Sequence, residues 1–251
     1  MKIKNFFRRL FRRSRPQKVN LAFPTSWETV SDSDFREICT VLSLPGIDRD
    51  RALFLILCAL THIRPDRVDQ YDASQLKGRQ PFIINGESHL IKTSDIAEAC
   101  RQLSFIVDTV GLAPCPLKDV DRMLYGVSFR AFYEADSYIL RYASDPNGAY
   151  LKTAAKSLSG GRIRKLLPWQ RIGIVMWWNG MKQQLMTMYP YVLKQGESIT
   201  SKTQAEILQD ILSSLNQNRP QDNERILQTD VHSVLHVLNN IYHDADKRVS
   251  K

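Results

Sequence analysis

His232 and His236 stand four residues apart and His243 follows seven further on, so a helix through them brings three imidazoles towards one face, where neutral ring nitrogens can ligate a divalent metal. The glutamate that follows the first histidine of helical metalloprotease motifs is missing, and Val231, Val234, Leu235, Leu238 and Ile241 form an apolar stripe beside the rings. The sequence therefore favours imidazoles at the border of a packed face, and no metal is assigned. The acid pairs Asp32/Asp34, Asp48/Asp50 and Asp119/Asp121 raise the possibility of two-carboxylate catalysis, but each stands at an expected helix start, where carboxylates satisfy free amides and the helix dipole. Gly160-Gly161 with Arg162, Arg164 and Lys165 has charge for an anion but lacks the glycine spacing and terminal Lys-Ser/Thr of a phosphate loop, and reads as a solvated basic turn. Cys39, Cys58, Cys100 and Cys115 are separated by 19, 42 and 15 residues, with no Cys-x-x-Cys pair for zinc or redox exchange. They are expected to be reduced thiols filling apolar space in a cytoplasmic protein. No nucleophile elbow, cofactor lysine motif or familiar Cys–His spacing occurs, so no catalytic residue or cofactor is assigned and function is expected to lie in contact rather than turnover.

Two segments have the composition for contact. Residues 169–191 gather Trp169, Trp177, Trp178, Tyr189 and Tyr191 with four methionines, a density that serves either as core or as an adaptable groove for a partner. Core is preferred for most of it, and Trp169, Trp177 and Trp178 are the residues to test as groove. Gly173 and Gly180, seven apart, fall near one helix face and permit close approach of another backbone.

The second segment is the N-terminus. The chain carries a net charge of +9, and residues 1–18 supply eight cations and no acid, leaving 27 basic against 26 acidic residues elsewhere. Phe6, Phe7, Leu10 and Phe11, with Ile3, recur at helical spacing, while Arg8, Arg9, Arg12 and Arg13 occupy the opposite face. This basic amphipathic arm is too short to sustain a free helix and is expected to fold on docking. Its partner is a protein groove, an anionic membrane surface or nucleic acid. Arginines interrupt any secretory core, and the longest apolar run, Ala52–Leu60, is nine residues, far short of the roughly twenty needed to span a bilayer.

The elements that must position these residues are mainly α-helical. With 43% hydrophobic and 24% charged residues, the 251-residue chain is expected to fold around a substantial core. Helices are expected from Ser31 or Asp32 to the Pro45-Gly46 break, from Asp48 through Leu60, from Ser94 to Val107, and over 129–143, 149–158 and 168–188. A C-terminal pair follows, 204–215 and 230–242, joined by a loop over 216–223. Asn85-Gly86 supplies the two positive-φ positions of a type I′ turn between strand-like flanks, predicting one small β-hairpin and little other strand. The organisation expected is a basic arm over 1–18, a helical main domain over 19–195 and a C-terminal helix pair over 196–251.

In order along the chain, several pieces resemble tail-assembly chaperone-like proteins of tailed bacteriophages and prophages from gut Bacteroidetes. They are Phe23-Pro24-Thr25-Ser26-Trp27-Glu28-Thr29-Val30, the apolar helix Ala52–Leu60 followed by Thr61-His62-Ile63, the hairpin from Phe82 to Gly86, Leu124 to Asp136, Val175 to Lys182 through Tyr189-Pro190, and the closing helix Val234–Tyr242. The resemblance covers about residues 21–243, and the basic arm departs from it. It implies a non-enzymatic role in virion morphogenesis within the bacterial host cytoplasm, holding aggregation-prone tail components, and it carries no catalytic residues.

Overall fold

The computed structural model describes residues 22–108, 111–192, 204–216 and 219–249. The arm, with Phe6, Phe7, Leu10, Phe11, Arg8, Arg9, Arg12 and Arg13, lies outside the described residues. The described chain is mostly helical and divides into two compact units, one formed by the described residues up to Thr25 with Asp48–Ser104 and the other by Ser26–Ile47 with the described residues from Phe105 onward. The C-terminal helices group with the body, and the hairpin region groups apart from it.

The second unit begins with α1 (Asp32–Leu42), which starts where Ser31 and Asp34 form a capping box. The first unit contains α2 (Arg49–Thr61), opened by the Asp48 side chain accepting from Arg51 N at 2.9 Å and closed by His62 in the left-handed conformation (φ 54°). It also contains β1 (Arg64–Pro65), the one-turn α3 (Ala73–Leu76), β2 (Arg79–Ile84), β3 (Glu87–Lys92) and α4 (Thr93–Gln102). Asn85 (φ 51°) and Gly86 (φ 86°) make the turn between β2 and β3, which pair antiparallel from Arg79↔Lys92 to Ile84↔Glu87.

The hairpin expected at Asn85-Gly86 is present, and β1 is the little strand beside it: Arg64↔Ile83 and Pro65↔Phe82 add a third antiparallel strand at the sheet edge. Proline is tolerated there because an edge strand leaves one row of amides unpaired. The Asp66 carboxylate pins this edge, accepting from Arg67 N (2.8 Å), Gln70 Nε2 (2.7 Å) and the Ser88 hydroxyl of β3. These bonds, the Ser88 bond foremost, hold its carboxyl below the usual range.

The helix expected to run from Ser94 to Val107 is broken at Leu103, close to where the first unit ends, and α5 (Ser104–Val107) follows. Ile96, Ala99, Leu103 and Ile106 all remain buried through the break, so apolar periodicity carried no sign of it. Helices α6 (Phe129–Ser144) and α7 (Gly148–Leu158), joined by residues 145–147, pack on each other, and α8 (Pro168–Met188) packs on both α1 and α7. Then come α9 (Gln204–Asn216), α10 (Asn223–Gln228) and α11 (Val231–Val249). The expected C-terminal pair is present as α9 and α11, with α10 inserted between them.

The core of this unit is α8. Trp177 and Trp178 are 0% and 1% exposed. The indole of Trp177 donates to Arg122 O at 2.8 Å and that of Trp178 to Asp136 Oδ1 at 3.1 Å. Gly180 abuts the backbone of Gly111 and Leu112, and Gly173 admits the Phe35 ring and Pro116. Gly180 makes the close backbone approach expected of both glycines, whereas Gly173 meets side chains. Among the described residues, no helix is long and apolar enough to cross a membrane.

Candidate functional site

The histidines do not converge. Only His232 is buried: its Nδ1 lies 2.9 Å from Tyr189 Oη, and its Nε2 lies 2.7 Å from Met123 O. A carbonyl can only accept, so Nε2 carries the proton and Nδ1 receives the Tyr189 hydroxyl. Tyr125 stacks on the ring at 4.2 Å, and Asp230 accepts from His232 N and Gly126 N. These bonds hold buried Leu124 at φ 69°, a conformation costly for a branched side chain. His236 instead meets Asn240, and His243 lies against Tyr191. With both ring nitrogens engaged, His232 is a structural clamp.

The acid pairs and the basic turn also take structural work. Asp34 and Asp48 cap helices, whereas Asp121, expected at a helix start, closes a turn by accepting from Met123 N and Tyr125 N. Gly160 and Gly161 (φ 60° and 86°) terminate α7, with Gly161 N donating to Lys156 O at 2.8 Å, and Arg162 Nε donates to Ser159 O.

A cleft of about 570 Å³ in the second unit is the site with unspent binding capacity. Its walls converge from three stretches. Trp27 lies in the turn closed by Thr29 N to Ser26 O (3.1 Å), just before α1, and meets the rings of Phe35 and Phe105 edge-on at 5.9 and 5.2 Å. Trp169 follows Pro168 in the first turn of α8, with the Arg36 guanidinium 5.9 Å from its ring. Between them runs Pro114-Cys115-Pro116-Leu117, tied to α8 by Gln170 Nε2 donating to Pro116 O at 3.1 Å. Arg122 secures the preceding residues, donating to Ala113 O at 3.1 Å and to Leu112 O.

Both indole N–H groups of this cleft, Trp27 Nε1 and Trp169 Nε1, are shut from solvent and have no acceptor among the described residues. A buried indole ordinarily finds a partner, and leaving one unmatched costs about 1–3 kcal/mol. At the rim stand Glu28, Asp32, Lys118 and Arg122, two charges of each sign. A hydrogen bond from Ser26, foremost, and Arg122 more weakly hold the Glu28 carboxyl below its usual range.

The cleft has no ready nucleophile, because burial pushes the Cys115 thiol up to about 12. Burial does the same to Cys39 on α1, also to about 12. Unfolded thiols ionise near 8.5, so the folded chain holds protons that the unfolded chain releases. The resulting stabilisation is complete below about pH 8.5 and is lost as pH rises towards 12, at up to about 1.4 kcal/mol per pH unit per thiol. Denaturant midpoints measured at neutral pH and near pH 10 should fall accordingly, and Cys39→Ala should reduce the difference between them. An unchanged difference in that variant would contradict the assignment.

The three tryptophans expected as groove thus part company: Trp177 and Trp178 are core, and Trp169 lines the cleft. Trp27, its counterpart, was not among the expected site residues. It lies in the turn before α1, with no periodicity to mark a face. Among the described residues, no group of three or more His, Cys, Asp or Glu side chains is placed to hold a metal ion. Comparison with protein-family models, curated proteins and solved structures returns no significant match to this chain.

Proposed function

We propose that the protein is a non-enzymatic binding protein that holds another protein chain, in the virion-assembly setting implied by the sequence resemblance. The observation that carries the reading is the aromatic and prolyl cleft with two buried indole donors lacking acceptors. Such a wall of rings and prolines suits contact with the side chains of another chain. A single-chain enzyme site would instead need a poised acid, base or nucleophile. The two groups best suited by type, His232 and Cys115, are respectively saturated by structural hydrogen bonds and held protonated.

A second reading rests on the eight cations of residues 1–18, which suit an anionic lipid surface or nucleic-acid phosphate. Crosslinking of the full chain in phage-producing host cells, followed by identification of the joined peptides, separates the two. The proposal expects a structural phage protein joined beside the cleft, reduced about tenfold by Trp169→Ala and largely retained after deletion of residues 1–18. Capture that is indifferent to Trp169→Ala, but lost on deletion together with binding to anionic vesicles or DNA, would overturn it in favour of the second reading.

A further inference from the structure

We propose that an exposed basic strip along α7 binds the phosphate backbone of duplex DNA through Lys152, Lys156, Arg164, Lys165 and Arg171. Outside the arm the chain is nearly neutral in sum, yet its charge is segregated. Between Asp145 and Glu197 stand eight of the 27 cations outside the arm and no acid, which leaves 19 cations to face 26 acids in the remainder. Two of the eight are spent within the fold, since Arg162 lies 3.9 Å from Asp119 and Lys182 holds Asp136. The five cations of the strip are exposed, and among the described residues none of them forms an ion pair. Glu134 of α6, which borders α7, accepts from Ser157 Oγ at 2.9 Å instead.

The fold gathers these cations. Gly148, Lys152 and Lys156 stand four residues apart on α7 and share one side, and the Arg171 guanidinium lies against Gly148 at the start of that row. Residues 159–167 leave the end of α7 and lead to α8, whose Arg171 reaches the beginning of α7, so they run back along the helix over its length of about 16 Å. Arg164 and Lys165 lie within that return. Protein interfaces are anchored by aromatic and apolar groups and depleted in lysine, whereas here Leu167 is the one large apolar side chain exposed between residues 146 and 187 among the described residues. Insertion into a lipid surface would also need an apolar face, and a single strand would need exposed rings on which to stack its bases. A duplex needs only cations, because it presents one phosphate charge for about every 1.7 Å of its axis. The major groove of B-form DNA, roughly 12 Å wide, admits an α-helix, and that of an RNA duplex is too narrow. Ala149 and Gly160, small and exposed, keep this side of α7 slim.

Fluorescence anisotropy of a labelled DNA duplex of mixed sequence, titrated with the full chain over a salt series, tests this. Arg8, Arg9, Arg12 and Arg13 are changed to Gln in every protein compared, so that the arm does not mask the strip. On that background Lys152→Gln/Lys156→Gln/Lys165→Gln should weaken binding about tenfold or more and flatten the dependence of log K on log salt by about 1 for each cation removed. Arg67→Gln/Lys77→Gln/Lys92→Gln removes the same charge from exposed positions of the first unit and should change neither. Should the first triple variant fail to fold, Lys156→Gln alone, with a slope lower by about 1, carries the comparison. Undetectable DNA binding, equal weakening by the two triple variants, a salt slope unchanged by loss of the strip, or tighter binding of anionic vesicles, a polyglutamate peptide or an RNA duplex than of DNA would each overturn the proposal. None of these outcomes touches capture of a partner chain beside Trp169, which fails only in the crosslinking experiment.

Discussion

Gly180→Ala should destabilise the second unit by about 2–4 kcal/mol, although helix propensity alone predicts a gain of roughly 1 kcal/mol. A Cβ built at Gly180 falls well inside contact distance of the Gly111 carbonyl oxygen and 3.0 Å from Leu112 Cα. Both are backbone atoms, so no side chain can swing aside. Gly111 is itself held at φ 87°, and the next residue is anchored by Arg122 through Leu112 O. Relief requires the loop to part from α8, exposing Ala113 and loosening the segment that carries Pro114 and Pro116. Gly173→Ala is the control: there a Cβ meets the Phe35 ring and Pro116 Cβ at 3.2 Å, and a ring edge can yield by a few tenths of an ångström. Denaturant unfolding of both variants should place Gly180→Ala well below Gly173→Ala. A Gly180→Ala protein as stable as the parent would show that the loop is not held against the helix.

Asp136→Ala is expected to cost a similar amount, about 2–4 kcal/mol, for an electrostatic reason. Asp136 on α6 accepts from Lys182 Nζ at 2.9 and 3.1 Å and from the Trp178 indole at 3.1 Å. The Asp136 and Lys182 side chains are only 21% and 24% exposed, and Trp178 is 1% exposed. Truncation strands an ammonium with little water and a buried N–H with none. Removing one partner of a fully buried pair costs about 3–5 kcal/mol, and the residual exposure here reduces that. Asp136→Asn should cost less, because the amide oxygen still accepts from Trp178. Adding Lys182→Met to Asp136→Ala should recover part of the loss, and the double-mutant cycle isolates the coupling. A loss below about 0.5 kcal/mol for Asp136→Ala would mean that water replaces the carboxylate freely.

The helical frame was legible because its signals are local. Ser31 and Asp48 before apolar runs mark starts, Gly160-Gly161 marks an end, and Asn85-Gly86 admits essentially one turn type. What escaped the sequence depends on distant partners. The strand Arg64–Pro65 is too short to show alternation and exists through its pairing with β2. The break at Leu103 leaves burial in phase on both sides. Asp121 resembles a helix cap but serves a turn whose shape is held by Asp230 and His232, far along the chain.

The cleft shows the same limit. Pro114 and Pro116 lie between helices and Trp27 lies before α1, with no periodicity to mark a face. Nothing in their spacing says that both face Trp169. The tryptophan-rich stretch did signal that contact matters there, but composition cannot sort core from wall. That sorting came from which indoles found acceptors: Arg122 O for Trp177, Asp136 for Trp178, and none among the described residues for Trp27 and Trp169.

The four tryptophans of the chain make this difference directly observable, since each indole N–H gives its own signal in a nitrogen–proton correlation spectrum. Titrating the labelled full chain with the partner that crosslinking identifies should shift the signal of Trp169, whose side chain lines the cleft, in proportion to occupancy. The signals of Trp177 and Trp178, already committed to Arg122 O and Asp136, should stay in place. Four signals unmoved at saturating partner, or movement confined to Trp177 and Trp178, would contradict the claim that this cleft holds another chain.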